Sequence, residues 1–163
     1  MSSKESTLHL LCGKIAAGKS RLTAKLGSAP CTVVVSEDEW LPRLYPNEMA
    51  SVADYVRCSA RLREAIGPHI VRLLTAGVSV VLDFPANTLA NRAWMRSIFE
   101  AAAVAHQLHF LDVPDQVCKA RLRARNASGS HPFAVTEEQF ELIASYFVAP
   151  MPEEGFDVIV YRT

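Results

Sequence analysis

The chain is poor in the features that mark several protein classes. It has no surplus charge: 17 Lys and Arg balance 17 Asp and Glu, so no global field favours nucleic acid or an anionic membrane, and only a local basic groove could serve such a partner. Cysteine is sparse. Cys12, Cys31, Cys58 and Cys118 are widely scattered, without a C-x-x-C pair or zinc-type spacing, and each lies in or beside an apolar segment, so buried reduced thiols are expected. No apolar run approaches the length of a membrane span, and the polar stretch Met1–Thr7 lacks the apolar core of a secretory signal, so a cytoplasmic location without membrane contact is expected. The N-K-x-D motif of guanine recognition is missing, which argues against a regulatory GTPase. No internal repeat, low-complexity tract or linker breaks the chain, and 163 residues, half of them apolar, suffice for one α/β domain spanning 1–163.

What the chain does have is Gly13-Lys14-Ile15-Ala16-Ala17-Gly18-Lys19-Ser20, which satisfies G-x-x-x-x-G-K-[ST]. The motif sits between an apolar strand carrying Leu8, Leu10, Leu11 and Cys12 and a helical pattern through Leu22, Ala24 and Leu26. That strand-loop-helix context is the setting of a phosphate-binding loop. The glycines let the backbone turn so that consecutive N–H groups point at phosphate oxygens. Lys19 can reach the outer phosphates, Ser20 can offer its hydroxyl to Mg²⁺, and the helix opening at about Gly18 aims the positive end of its dipole at the same anion.

Further along, Thr32–Ser36 is a β-branched run suited to a parallel strand covered on both faces. It delivers Glu37-Asp38-Glu39-Trp40 to the strand's carboxyl end, where open α/β sheets bind ligands. Glu37 and Glu39 read at least as well as a solvated acidic turn. Residues 41–47 contain two prolines and read as a loop. From Ser51 to Leu74 the spacing of Val52, Val56, Ala60, Leu62, Ile66, Ile70 and Leu73 predicts helix, with Gly67-Pro68 marking a kink or a junction. Val78–Phe84 is a buried strand that presents Asp83 at its end, as a Walker B acid would be presented. Thr88 is a helix cap, and Trp94, Ile98, Ala101, Ala102 and Ala105 form the apolar stripe that follows. Arg92 reads as a helix-surface arginine, and Trp40 and Tyr45 as packing.

Leu108–Val113 is a fourth strand, with Asp112 capping the helix that opens at Pro114. Arg121 and Arg125 stand four apart on that helix, hence on one side, and lead into a mobile flap at about 126–135. Thr136-Glu137-Glu138-Gln139 matches a capping box ahead of a helix bearing Phe140, Ile143, Ala144 and Phe147. Phe156–Tyr161 closes the chain as a fifth strand.

This order of elements resembles the P-loop kinase superfamily over nearly the full length. Within it the chain is similar to small bacterial ATP-binding proteins of the AAA_33 type, often labelled predicted kinases, and to polynucleotide kinase, zeta toxin and chloramphenicol phosphotransferase domains. Gly13–Ser20, Ser36–Trp40 with Asp38, Val80–Asp83, Asn87 with Arg92, and Arg121–Asn126 carry the likeness. The resemblance implies an α/β three-layer P-loop NTPase fold, with a five-stranded parallel sheet of order 2-3-1-4-5 and helices on both faces. It also implies transfer of the γ-phosphoryl of ATP to a hydroxyl of a small molecule, with Mg²⁺. On that reading Gly13, Lys14, Ile15, Ala16, Ala17, Gly18, Lys19, Ser20 and Arg21 hold the nucleotide, and Ser20 and Asp83 hold the metal. Asp38 takes the acceptor's proton or caps its helix, and Arg121 and Arg125 are cis arginine fingers. Polynucleotide kinases have Arg-Asp-Asp after the second strand where this chain has Glu37-Asp38-Glu39, so Asp38 alone is matched. Two other readings stay open: a nucleotide-binding switch or slow ATPase, and a 5′-end nucleic-acid kinase, against which the zero net charge speaks.

Overall fold

Apolar runs alternating with helical patterns fold into a parallel sheet clothed by helices. The computed structural model describes residues 5–129 and 135–162. Its strands are β1 (Thr7–Cys12), β2 (Thr32–Ser36), β3 (Ser79–Asp83), β4 (Ala105–Asp112) and β5 (Val158–Arg162). They pair in parallel in the order β2-β3-β1-β4-β5, the order implied by the resemblance. Parallel neighbours require crossovers, which here are α1 (Lys19–Gly27), α2 (Glu37–Leu44), α3 (Val52–Thr75), α4 (Leu89–Ala102), α5 (Asp115–Ser128) and α6 (Glu137–Ala144). A single 3-10 turn, Pro152–Glu154, precedes β5.

Alternation along the strands divides the core in two. On one face Leu8, Leu10, Cys12, Val80, Leu82 and Leu108 meet Leu62, Ile66 and Ile70 of α3 and Met95 and Ile98 of α4. On the other, Leu111 packs with Ala17, Cys118, Leu122 and Phe140, under α5 and α6. The register sets Ser36 beside Asp83, so β2 and β3 end level and release their next residues at the same edge of the sheet.

Several local expectations are corrected. Helix α2 runs through Pro42 to Leu44, so residues 41–44 are not loop. A proline costs the helix one donor, and the buried Leu41 with the Tyr45 N–H on its carbonyl at 2.9 Å holds the last turn regardless. Helix α3 is one continuous element through Gly67-Pro68, so that pair is not a junction between two helices. Ala105 opens β4 instead of extending the α4 stripe, and Phe147 lies beyond α6, where its ring packs against Phe110. Asp112 makes no cap: it pairs with Arg162 at 3.4 Å, and Pro114 holds the cap position of α5. Cys31 is exposed, whereas Cys12, Cys58 and Cys118 are buried, and all four are free thiols. Residues 126–128 of the expected flap are the end of α5, and its residues 130–134 lie outside the described residues. The Ser51 and Thr136 capping boxes and the Thr88 cap are formed.

One polar chain crosses the α5 side of the sheet. His9 Nδ1 lies 3.0 Å from His109 Nε2, and His109 Nδ1 lies 2.8 Å from the Tyr161 hydroxyl. Burial, and after it the neighbouring His9, push His109 down from the ordinary 6.5 to about 4 against a raising influence from Asp157. Both rings are thus neutral in the folded protein at neutral pH and stay so below pH 6.5, where the unfolded chain protonates them. Stability is therefore full above pH 6.5 and declines as pH falls toward 4. We expect the decline to total about 3 kcal/mol from His109, read by urea denaturation across that range. His109→Gln, which cannot titrate, should flatten it.

Candidate functional site

At the carboxyl edge β1 turns into the Gly13–Ser20 loop, and each glycine has its own reason. A Cβ on Gly13 would lie 3.2 Å from Ala17 Cβ and 3.3 Å from Leu111 Cβ, so a side chain there would have to push its neighbours back by a few tenths of an ångström. Gly18 has φ of 106°, a left-handed conformation that L side chains rarely adopt, and it stands at the N-cap position of α1. The loop closes on itself through Ala17 N–H to the Lys14 carbonyl at 3.1 Å.

Two elements fasten it from outside. The amide of Asn87, in the segment after β3, accepts from Gly13 N–H at 3.0 Å and donates to Gly13 O at 2.9 Å. Asn87 O in turn accepts from Val148 N–H at 2.9 Å. Lys14 pairs with Asp115 of α5 at 2.7 Å and sits over the Phe147 ring. From the same helix Arg121 reaches over the loop, donating to Ala17 O at 3.3 Å and Ala16 O at 3.4 Å.

Inside the loop Lys19 donates to Gly13 O at 2.7 Å. Burial lowers its pKa, against the raising influence of Cys12, Asp83 and Asp38. These carboxylates are therefore electrostatic neighbours of the ammonium, although they come from different elements. Asp83, at the end of β3, accepts from Ser36 Oγ at 3.0 Å. Burial raises its pKa, and the charges of Asp38 and Glu39 add to the rise while Ser36 and Lys19 oppose it. A carboxylate short of water and crowded by other acids suits a divalent cation, whose charge removes both penalties. Ser20, exposed at the start of α1, offers a hydroxyl from the loop side. Among the described residues no three His, Cys, Asp or Glu side chains cluster as a metal site. Ser20 and Asp83 carry the hydroxyl and carboxylate oxygens that a Mg²⁺ ion accepts as ligands.

Asp38 is exposed in the first turn of α2, behind Ser36 at the cap position, whose hydroxyl is turned to Asp83. Glu39 is exposed too, but Glu37 is buried and receives hydrogen bonds from Tyr55 OH and, at 2.7 Å, Ser59 Oγ. The solvated-turn reading of Glu37 is thus corrected, since α3 supplies the donors that make its burial tolerable. Arg92 is corrected as well: it is fully buried and bound to Glu154, not on the helix surface. Ile15 and Ala16 pack against the α5-side core, and Arg21 is exposed on α1. Arg125, one turn beyond Arg121, is half-buried with Nε enclosed and without a hydrogen-bond partner. Lys19, Asp38 and Asp83 are thus electrostatic neighbours at the carboxyl edge, and Arg121 lies over the loop. Asn87, Ser36 and Asp115 complete the setting. Ser36 and Asn87 carry the resemblance, but spacing gave none of the three a role, because each acts on a residue far away in sequence.

Residues 8–150 match the family AAA_33, described as an AAA domain. The chain belongs to AAA_33. Solved structures similar to this AAA_33 chain share its fold. A Chloroflexus aurantiacus protein provisionally called a kinase aligns with a TM-score of 0.75 at 16% identity, over 100% of this chain and 87% of that one. A gluconokinase from Sinorhizobium meliloti gives 0.62 at 15%, over 99% and 84%. The Mycobacterium tuberculosis APS kinase CysC, solved with AMPPNP and APS, gives 0.56 at 22%, over 97% and 88%. No curated protein matches the AAA_33 chain significantly. No helix among the described residues is long and apolar enough to cross a membrane.

Proposed function

We propose that this AAA_33 protein is an ATP-dependent kinase that phosphorylates a hydroxyl of a small molecule. The observation that carries the reading is geometric: β2 and β3 end level, with Ser36 Oγ donating to Asp83 at 3.0 Å, so Asp38 and Asp83 leave the sheet at the carboxyl edge where β1 turns into the Lys19 loop. Amides of residues 14–20 and the Lys19 ammonium would hold the β- and γ-phosphates of ATP. Ser20 and Asp83 would hold Mg²⁺, which supplies charge neutralisation between the phosphates.

Asp38 accepts the acceptor's hydroxyl proton as that oxygen bonds to the γ-phosphorus and the bridging bond to the β-phosphate breaks. Its exposure fits a base that must meet an incoming substrate. Arg121, anchored on the loop carbonyls, meets the negative charge of the transferring group. The kinases of like fold support this reading, as does the family.

The test is transfer of labelled γ-phosphate from ATP to a pooled metabolite extract. Asp38→Asn should lower transfer about 100-fold, the ordinary worth of a general base, while calorimetry still detects ATP binding with Mg²⁺. Hydrolysis without any labelled acceptor, unchanged by Asp38→Asn, would overturn transfer in favour of a switch or slow ATPase.

A further inference from the structure

Helix α2 carries Asp38 in its first turn but has few means of holding that turn. Of its eight residues only Glu37 and Leu41 are buried. Ser36, at the cap position, makes no side-chain hydrogen bond to the helix, and its hydroxyl donates to Asp83 instead. The first N–H groups of a helix have no partner within it, so an end without a side-chain cap is loosely held. Leu41 anchors α2 one turn further on. The first turn is left to Glu37.

Helix α3 engages both oxygens of the Glu37 carboxylate. Oε1 accepts from the Tyr55 hydroxyl, and Oε2 accepts from Ser59 Oγ at 2.7 Å. Burial and then the Glu37 charge push the Tyr55 hydroxyl above its ordinary 10, against a lowering by Ser59 and Arg63, so Tyr55 keeps its proton and stays a donor. Ser59 has no exposed surface, and its oxygen also accepts from Arg63 Nη2 at 3.1 Å. The counter-charge of the buried acid is thus one hydroxyl away. Arg63 Nη1 donates to Asn91 Oδ1, in the first turn of α4, at 3.2 Å. Its Nε is enclosed and has no hydrogen-bond partner among the described residues, so these two contacts and the Trp94 ring, 5.9 Å from Cζ, hold the guanidinium. The Asn91 N–H donates to the Thr88 cap, which follows the Asn87 that brackets Gly13. A line of hydrogen bonds therefore runs from the turn bearing Asp38, through α3, to the segment that fastens the phosphate loop.

Consecutive residues of a helix point about 100° apart, so pinning Glu37 inward sets the direction in which Asp38 points. A displacement of about 1 Å at a reacting group can cost about 10²-fold in rate. We infer that Glu37, held by Tyr55, Ser59 and Arg63, is a positioning residue that sets Asp38 in place to receive the acceptor's proton. The clamp acts through Asp38 and not on the substrate. The inference rests on the kinase reading above and adds to it what fixes the base relative to the loop.

The experiment compares Tyr55→Phe and Glu37→Gln with the unaltered full chain, each change also being combined with Asp38→Asn. The readouts are transfer of labelled γ-phosphate from ATP to the metabolite extract, AMPPNP binding with Mg²⁺ by calorimetry, and backbone ¹⁵N order parameters of residues 37–40. Tyr55→Phe removes one hydroxyl from a partly exposed ring and spares the fold. It should lower transfer about tenfold, and Glu37→Gln at least as much, with AMPPNP affinity changed less than about twofold. In the Asp38→Asn background the same changes should cost less than about twofold, because groups that act through one residue lose their effect with it. Order parameters at 37–40 should fall from about 0.85 toward about 0.6 in both single variants. A loss of the same size in the Asp38→Asn background would mark the clamp as merely structural and overturn the inference. So would a Tyr55→Phe rate within about twofold of the unaltered chain, or unchanged order parameters. If the unaltered chain transfers no label to any acceptor, the kinase reading fails by itself. The order parameters need no acceptor, and their fall would then still support the clamp as the holder of the Asp38 turn, whereas no change would overturn it.

Discussion

Arg121→Ala should lower phosphoryl-transfer turnover by about 10³-fold or more, the range in which an arginine that touches the transferring group operates. The guanidinium is tied to the Ala16 and Ala17 carbonyls, and its Nη1 lies 3.9 Å from where a Gly18 Cβ would stand. It is thus a cation held on the rim of the loop. Its effect belongs in kcat more than in ATP affinity, because charge on the transferring oxygens is redistributed in the transition state. Arg121→Lys should recover only part of the loss, since a compact ammonium on a flexible stem does not reproduce the planar, pre-organised guanidinium. Arg125→Ala should cost less than about tenfold in rate, because Arg125 has no hydrogen bond to the loop among the described residues. Steady-state kinetics of the three variants, with ATP affinity measured separately, decide the matter. Equal losses at Arg121 and Arg125, or a larger one at Arg125, would reverse the assignment.

The two arginines also show what the sequence could and could not convey. Their spacing of four put them on one side of a helix, and both satisfied that rule. Only the packing of α5 against the loop separates them, through Lys14 pairing with Asp115 and Arg121 lying over Ala16 and Ala17. The loop itself was legible because Gly18 and Gly13 meet demands that are local to the backbone: a positive φ and a close approach. The positions of Asp38 and Asp83 at the carboxyl edge were legible for a related reason: Asp83 ends the apolar strand β3, and Asp38 stands two residues after β2. Strand order was not, since periodicity states that a strand is buried but not beside which partner; it came from the resemblance alone. Buried charge was the least legible feature. Glu37 reads as a surface acid until Tyr55 and Ser59, 18 and 22 residues later, are folded against it. Pro42 misled in the opposite direction, because a proline's missing donor is a local cost that the burial of Leu41 outweighs.

Arg92→Ala should be the most damaging single change to stability, at about 3–5 kcal/mol, the cost of removing one partner of a buried ion pair. Arg92 has no exposed surface. Its Nε and Nη2 donate to the two Glu154 oxygens at 2.7 and 3.2 Å, and its Nη1 donates to Ala86 O at 2.9 Å. One side chain therefore ties α4 to the segment after β3 and to the turn before β5. Alanine would leave a cavity, a carbonyl without this donor and a carboxylate without its counter-ion. With a domain's total stability at about 5–15 kcal/mol, and each kcal/mol worth about 2–4 °C at this size, the melting temperature should fall by roughly 10 °C or more. Burial alone would raise the Glu154 pKa, but the Arg92 hydrogen bond, the Met151 N–H and the charges of Arg92 and Arg96 outweigh it and hold the carboxyl below its ordinary 4.5. A depressed acid stabilises the fold above its unfolded pKa and stops doing so as pH falls through the lower folded value. The Arg92→Ala deficit should accordingly be full at neutral pH and shrink below pH 4.5. The double change Arg92→Met with Glu154→Gln should recover part of the loss, because it restores volume and leaves no charge unpaired. Urea denaturation of the single and double variants at neutral and acid pH tests this, and a neutral-pH cost within about 1 kcal/mol for Arg92→Ala would show that Arg92 is not the tie described.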